Sequence, residues 1–388
     1  MLGILAGMTA SPIDLRAFTA AGALFRPFDD PERIDAFIPP MGRENHAANL
    51  IELPNGDLLC AWFAGTREAM PDIRIALARL PAGSDRWNAP QWVTDDPARA
   101  EQNPVLFLTP AGDLWLIYTA QQTRDPATLP AGQPFYLQET ADIRVKRSSD
   151  LGQTWGPAET LIAGPGVFCR HPLRVLSNGD WLLPFYYCDR YNEAGFGNGH
   201  FDHSAVRISS DAGRTWTEHD MPASRGRVQA SVNEVSPGHL VAFFRSRSAD
   251  RVYISHSRDF GRTWTAPART SLPNNNSSVQ CIRLGSGALA LAFNHLSHND
   301  DPEKTVWQLD RYPLTIAISE DEGETWPWMR HIDMSDGFCG ERNRRLNRGL
   351  AYPSLIQTRD GLLHVAYSYR PRACIKHTTF ALDWVKRD

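Results

Sequence analysis

The chain has 388 residues, 42% of them hydrophobic and 22% charged, with a formal net charge of −4 at pH 7. That is the balance of a globular protein with a large core, and it excludes the basic field of a nucleic-acid binder or a cationic membrane-surface protein. Twelve Trp, ten Tyr and seventeen Phe suit short strands and sugar-binding surfaces better than a helical enzyme.

The opening MLGILAGMTA is apolar but short and has no basic flank, so it is not read as a signal peptide. No run approaches the ~18 apolar residues of a membrane span. No membrane partner is expected, and the expected location is cytoplasmic. The first strand pair follows as NLIEL, a turn at Gly56, and LLCAWF. The next loop, AGTREAMPD, carries Arg67, Glu68 and Asp72, and GSDRW closes the unit at Trp87. Five more units repeat the strand, glycine turn, strand pattern. They are PVLFL and LWLIYT around Gly112, LRVL and WLLPFY around Gly179, SVNEV and HLVAFFR around Gly238, VQCIRL and ALALAFN around Gly287, and PSLIQ and LLHVAYS around Gly361.

A second repeat interlocks with the first. SSDLGQTW (148–155), SSDAGRTW (209–216), SRDFGRTW (257–264) and SEDEGETW (319–326) each follow an alternating strand. Asp and Gly two apart specify a tight turn whose carboxylate binds local N–H groups, and the Thr-Trp pair opens the next strand. GSDRW reads as a decayed fifth copy. Each unit is thus four strands with one long loop, and six units make an all-β, six-bladed β-propeller with Asp-box turns. The sixth unit supplies only three strands. The segment before Glu44 is expected to add the fourth and close the ring, which removes exposed edges, so residues 1–388 read as one domain. The Asp-box aspartates are architecture and are not proposed as catalytic.

Chemistry is expected where the innermost strands begin at the axis. Nine or ten residues before the turn glycines stand His46, Asn103, Arg170, Gln229, Ser278 and Tyr352, a polar residue before each apolar strand. Second-strand ends and loops add Arg67, Glu68, Asp72, Arg245, Arg247, Arg311, Tyr369 and Arg370. The loop GERNRRLNRG, with Arg342, Arg344, Arg345 and Arg348, leads into the strand of Tyr352. Arginine binds carboxylates in bidentate fashion and keeps its charge when buried. Arg170, Arg245 and Arg311 could therefore hold an acidic sugar, leaving Asp72, His46 and Tyr352 for proton transfer or attack. The six cysteines lack metal spacing, and Cys60, Cys188 and Cys281, in apolar strand-like runs, read as buried thiols. His200 and His203 are too few for a metal site, and no Gly motif implies a nucleotide. No metal and no cofactor is expected.

These residues resemble the sialidase (neuraminidase) superfamily, the BNR or Asp-box propellers, from about Asn45 to His377. NHAANLIELPNGDLL, GTREAMPDIRIAL, QNPVLF, AYPSLIQTRDGLLHVAYSY and IKH are closer still to a sialidase-like branch of unsettled activity. The resemblance implies a substrate-carboxylate triad, with Arg245 and Arg311 as its two later arginines and His46 where the family opens with arginine. It implies Arg67 as a further binding arginine, Asp72 as acid/base and Tyr352 as nucleophile. Gln229 falls where the family has the glutamate that activates the tyrosine. Two departures stand out: the triad has one histidine, and Gln229 cannot accept the proton of Tyr352.

The leading expectation is an exo-acting hydrolase of an acidic glycan, sialic-acid-like or uronic, using Asp72 and Tyr352. An alternative is a lyase, with an arginine or Gln229 and Asn103 neutralising a uronate while His46 or Tyr352 removes its C5 proton. A third reading is a non-catalytic glycan-binding propeller.

Overall fold

The computed structural model describes residues 22–130, 135–188, 199–307, 310–334 and 348–387. Six antiparallel sheets follow one another along the chain. The first strand, β1 (Ile34–Ile38), belongs to the last of them. Blade one is β2 (Glu44–Glu52), β3 (Leu58–Gly65), β4 (Arg74–Leu80) and β5 (Gln91–Trp92). Blade two is β6 (Arg99–Leu108), β7 (Leu114–Thr123), β8 (Tyr136–Ser148) and β9 (Glu159–Ile162). In blade three the inner strand is split into β10 (Val167–Cys169) and β11 (Arg174–Val175), both paired with β12 (Trp181–Tyr187); β13 (His203–Ser209) and β14 (Thr217–Asp220) follow.

Blade four is β15 (Arg227–Ser236), β16 (His239–Ser246), β17 (Arg251–Ser257) and β18 (Ala268–Pro273). Blade five is β19 (Gln280–Arg283), β20 (Leu289–Asn294), β21 (Leu314–Ser319) and β22 (Trp328–Asp333). Blade six is β23 (Ala351–Gln357), β24 (Leu363–Tyr369) and β25 (Cys374–Phe380), with β1 on its outer edge. The six-bladed propeller expected from the repeats is the fold observed.

Burial explains why the strands read as they do. Every residue of β3 and of β16 is buried, because the blades on either side cover both faces. Their sequences are therefore almost continuously apolar. The outermost strand of blade three, TEHD, is polar and mostly exposed. The core lies between blades: Phe63, Ile75, Leu106, Leu116 and Tyr118 join blades one and two, and Val105, Ile117, Leu183 and Phe185 join two and three. Each such side chain contributes about 1.5–3 kcal/mol by leaving water.

The ring closes by pairing the two ends of the chain. Strand β1 runs antiparallel to β25, from Ile34 opposite Thr379 to Ile38 opposite Ile375. Beneath this seam Lys376 is held by Asp35 at 3.0 Å and Asp333 at 2.8 Å, and Arg33 meets Asp35 at 2.9 Å. A short helix, α1 (Leu382–Lys386), then buries Trp384, whose indole N–H donates to Asp30 at 2.9 Å.

In all four Asp turns the carboxylate accepts from both the N–H and the hydroxyl of the threonine four residues on. In the blade-four copy, Asp259 Oδ1 accepts from the N–H groups of Arg262 and Thr263 at 3.0 and 2.8 Å, and Oδ2 accepts from Thr263 Oγ1 at 2.6 Å. Trp264 Nε1 donates to the Gly261 carbonyl at 2.8 Å. Gly261 has φ +85°, and a Cβ there would meet Leu182 at 2.5 Å, so both conformation and space require glycine. GSDRW forms no such turn: Ser84 bonds Arg86 at both oxygen and nitrogen, while Trp87 is buried beside His377.

Candidate active site

The mouth of the propeller is built by a repeated irregularity. In four inner strands the residue nine before the turn glycine is left-handed: Ala47 (φ +59°), Asn103 (+52°), Gln229 (+57°) and Tyr352 (+53°). Each sits in a break of strand register, between His46 and Asn49, Gln102 and Val105, Val228 and Ser231, and Ala351 and Ser354. Such a bulge turns the strand end and re-aims its side chains. A left-handed non-glycine residue is a costly conformation that clusters at functional sites. In blade one the bulge position is Ala47, so His46 lies one residue out of step with the other three.

Within this frame lies an axial cavity of about 380 Å³, to which all six blades contribute. Asn103 and Tyr352 line it directly, as do Arg67, Glu68, Tyr186, Arg245, Arg311 and Arg372. Aromatic side chains, among them Tyr136 and the half-exposed Trp307, form its rim. Glu68 is the only carboxylate among the described lining residues. The cavity is therefore strongly electropositive in a protein of net negative charge.

Tyr352 is the centre of the bonding. Its phenol oxygen accepts from Arg245 Nη1 and, at 3.4 Å, from Gln229 Nε2. Gln229 also donates to Tyr186 Oη at 3.3 Å. Arg245 is fixed by Asn276 Oδ1, which accepts from its Nε at 2.7 Å. The Arg311 guanidinium lies 5.2 Å from the Tyr352 ring centre. No hydrogen bond or salt bridge reaches that guanidinium from a described residue. Burial pushes the Tyr352 phenol up, but Arg245 and Arg311 outweigh it and bring its pKa down to about 8. Burial likewise lowers Arg311, to about 10. Tyr186, buried without such cations bonded to its oxygen, is pushed well above its usual value.

Several expected residues stand elsewhere. Arg170 is buried beneath the floor, not in the cavity. Its Nη atoms donate to the carbonyls of Ala48, Tyr352 and Pro353 at 3.0–3.1 Å, and its Nε donates to Ser278 Oγ at 3.3 Å. With its donors spent on strand ends, it braces the axis rather than offering itself to a ligand. His46 is fully buried behind Tyr352, with ring centres 4.3 Å apart, and its Nδ1 bonds Ser368 Oγ at 2.7 Å. Burial, with Arg372 and the other cavity cations, holds its pKa well below the usual imidazole range. It does not line the cavity.

Asp72, expected as acid/base, is exposed and outside the lining; its Oδ2 accepts from Thr66 N at 2.8 Å and Thr66 Oγ1 at 2.5 Å. Arg67 is at the exposed edge, over the Phe135 ring at 4.6 Å. Arg342, Arg344 and Arg345 lie outside the described residues, as does Cys339; Arg348 meets Asp310 at 3.6 Å. Cys188, read as a buried thiol, borders the cavity.

Sequence reading named Glu68 among the loop candidates without giving it a role, and did not name Arg372. Nothing in TREAMPD separates Glu68 from Asp72 until the path of the loop is known. Arg372 stands in SYRPRAC, two residues after Arg370, and only the β24–β25 turn aims it inward.

A closed ring of six blades with an arginine-lined axial cup and a tyrosine on its floor defines a sialidase-like β-propeller. The chain belongs to the BNR repeat-like domain family, whose model matches residues 56–365. Among curated proteins it is 23% identical over 249 residues to a sialidase of Bacteroides fragilis (strain YCH46), covering 60% of this chain and 42% of that protein. It thus spans under half the length of that relative. Among solved structures, a Hadza microbial sialidase has a TM-score of 0.67 at 18% identity, covering 88% of this chain and 66% of its own. A protein of unknown function from Dyadobacter fermentans DSM 18053 has a TM-score of 0.68 at 19% identity, covering 89% and 97%. These structural likenesses are likenesses of fold.

Proposed function

We propose that this chain is an exo-acting glycoside hydrolase of sialidase type, taking one terminal acidic sugar into the axial cup. The observation that carries this reading is the placement of the Tyr352 phenol in the cup, bonded by Arg245 Nη1 and faced by the Arg311 guanidinium 5.2 Å from its ring centre, two cations that bring its pKa down to about 8. Those arginines receive the sugar carboxylate. Before the sugar binds they also stabilise the Tyr352 phenolate, so the phenol proton is lost to water and Gln229 need not accept it. Roughly a tenth of such phenols are ionised at pH 7.

In the first step the phenolate oxygen attacks the anomeric carbon while the glycosidic bond breaks. Glu68, the carboxyl that lines the cup, delivers a proton to the departing oxygen. In the second step water attacks the same carbon and gives its proton to Glu68, and Tyr352 leaves as a phenolate bonded to Arg245. Asp72, turned to Thr66, anchors the loop that carries Glu68.

The same phenolate could instead remove the C5 proton of a uronic acid, so elimination is kept as the second reading. His46, buried behind Tyr352, is poorly placed for that task. Sialosides and uronate-containing oligosaccharides are incubated with the protein, and free acidic sugar, reducing ends and the ultraviolet band of unsaturated uronate are followed together. Release of the terminal acidic sugar without unsaturated product is expected. Unsaturated product would replace hydrolysis with elimination, and no product from either substrate class would leave a glycan-binding propeller.

A further inference from the structure

We infer that Arg372 is the third cationic arm of the carboxylate clamp, beside Arg245 and Arg311, with Glu68 as the internal counterion that a substrate carboxylate displaces. This deepens the functional reading above and rests on it.

The first observation is position. From blade one, Arg67 stands at the exposed edge of the cup and His46 is buried behind Tyr352, outside the lining. Arg372 reaches the cavity from the tight turn between β24 and β25, where Ala373 N donates to Tyr369 O at 2.9 Å and Arg370 and Arg372 are both left-handed. The neighbour of His46 clasps this turn: Asn45 N donates to Arg372 O at 2.7 Å, and Asn45 Nδ2 to Ala373 O at 3.1 Å. Arg372 is thereby fastened to the mouth end of β2, where it lines the cup.

The second observation is what Arg372 holds. Its Nη2 meets Glu68 at 2.6 Å and its Nη1 meets Glu44 at 2.8 Å. Glu44 also accepts from Glu68 N at 2.9 Å, which ties the loop to the same arginine. Burial would push the Glu68 carboxyl up, yet Arg372 first, then Arg311 and Arg245, hold it below its usual value. The three guanidinium groups that would receive a sugar carboxylate thus already act on one carboxylate supplied by the protein. An arriving carboxylate competes with Glu68 for Arg372, while Glu44 keeps that arginine aimed. Displaced from its strongest cation, Glu68 takes up a proton more readily, which is the state that protonation of a leaving oxygen requires. Binding of the substrate anion and charging of the acid become one event.

The test is calorimetric titration with N-acetylneuraminic acid and with glucuronic acid, each paired with its methyl ester. It is run on wild type, Arg245→Met, Arg372→Met, Arg372→Lys and Glu68→Gln. Wild type is expected to prefer an acid over its ester, and Arg245→Met to lose that preference. Arg372→Met should weaken the acid at least tenfold and leave the ester unchanged, with Arg372→Lys between. Glu68→Gln should bind the acid several-fold more tightly, a gain that a merely structural ion pair does not foresee. Should Arg372→Met fail to fold, Arg372→Lys and Glu68→Gln decide. Wild-type preference kept in the Arg372 variants but lost in Arg245→Met, or no gain in Glu68→Gln, overturns the inference alone. No acid preference in wild type for either sugar overturns the functional reading, and this inference with it.

Discussion

The two ends of the propeller axis are made from the same strands and obey opposite rules. At the end with the glycine and Asp turns, each Asp-box carboxylate is satisfied by its own loop: Asp150, Asp211, Asp259 and Asp321 each accept from the serine two residues before and the threonine four after. At the mouth the strands bulge and the charged groups find partners in other blades. Tyr352 of blade six meets Arg245 of blade four, and Glu68 of blade one meets Arg372 of blade six. Local satisfaction yields a repeat that can be copied unchanged. Long-range satisfaction yields a site in which no two blades contribute alike.

That contrast breaks if substitutions at the two ends have the same kind of effect. The largest expected effect is at Tyr352. Tyr352→Phe should lower kcat for a sialoside roughly 10³-fold or more while circular dichroism and Tm stay near wild type. Near-wild-type turnover would remove the phenol from the chemistry. Next come the two carboxylates of one loop. Glu68→Gln should cost about 10²-fold or more in kcat, the usual worth of a general acid, and Asp72→Asn far less. The reverse order would return the acid/base role to Asp72.

A smaller effect is spectroscopic. The tyrosinate band should contain a component with its midpoint at about 8 that is absent in Tyr352→Phe. The phenolate gains population as pH rises through that value, because the cations favour the charged form. Arg245→Met should move the midpoint up, and an acidic sugar bound between the arginines should do the same. A component that ignores both would mean the arginines do not set it. The smallest effect belongs to the opposite end. Asp259→Ala frees two backbone N–H groups and two hydroxyls, so it should lower Tm by roughly 2 °C and leave kcat/KM unchanged. A change in kcat/KM would mean the two ends are coupled.

Much of this architecture was legible before any coordinates. The Asp boxes and turn glycines mark hairpins whose bonds close within eight residues. Six glycine turns with a three-strand last unit required the chain's beginning to complete it, which β1 does beside β25. The position nine before each glycine picked out Asn103, Gln229 and Tyr352 at the bulges. It mistook His46 for their equivalent, because a one-residue offset is invisible without the register break. Arg170 was misassigned to the ligand for a related reason: a buried arginine that braces carbonyls and one that receives a sugar look the same as letters.

By itself, then, the amino-acid sequence determined the blade count, the turn chemistry and the polar character of the mouth, since hairpin bonds and alternating burial depend on neighbours in the chain. Only the tertiary structure decided that Glu68 rather than Asp72 faces the cup, that Arg372 reaches it from blade six, and that Arg245 meets the Tyr352 phenol. Those outcomes depend on charges brought together from blades far apart in sequence. The field at a buried phenol is set by distance in space, which no local pattern encodes.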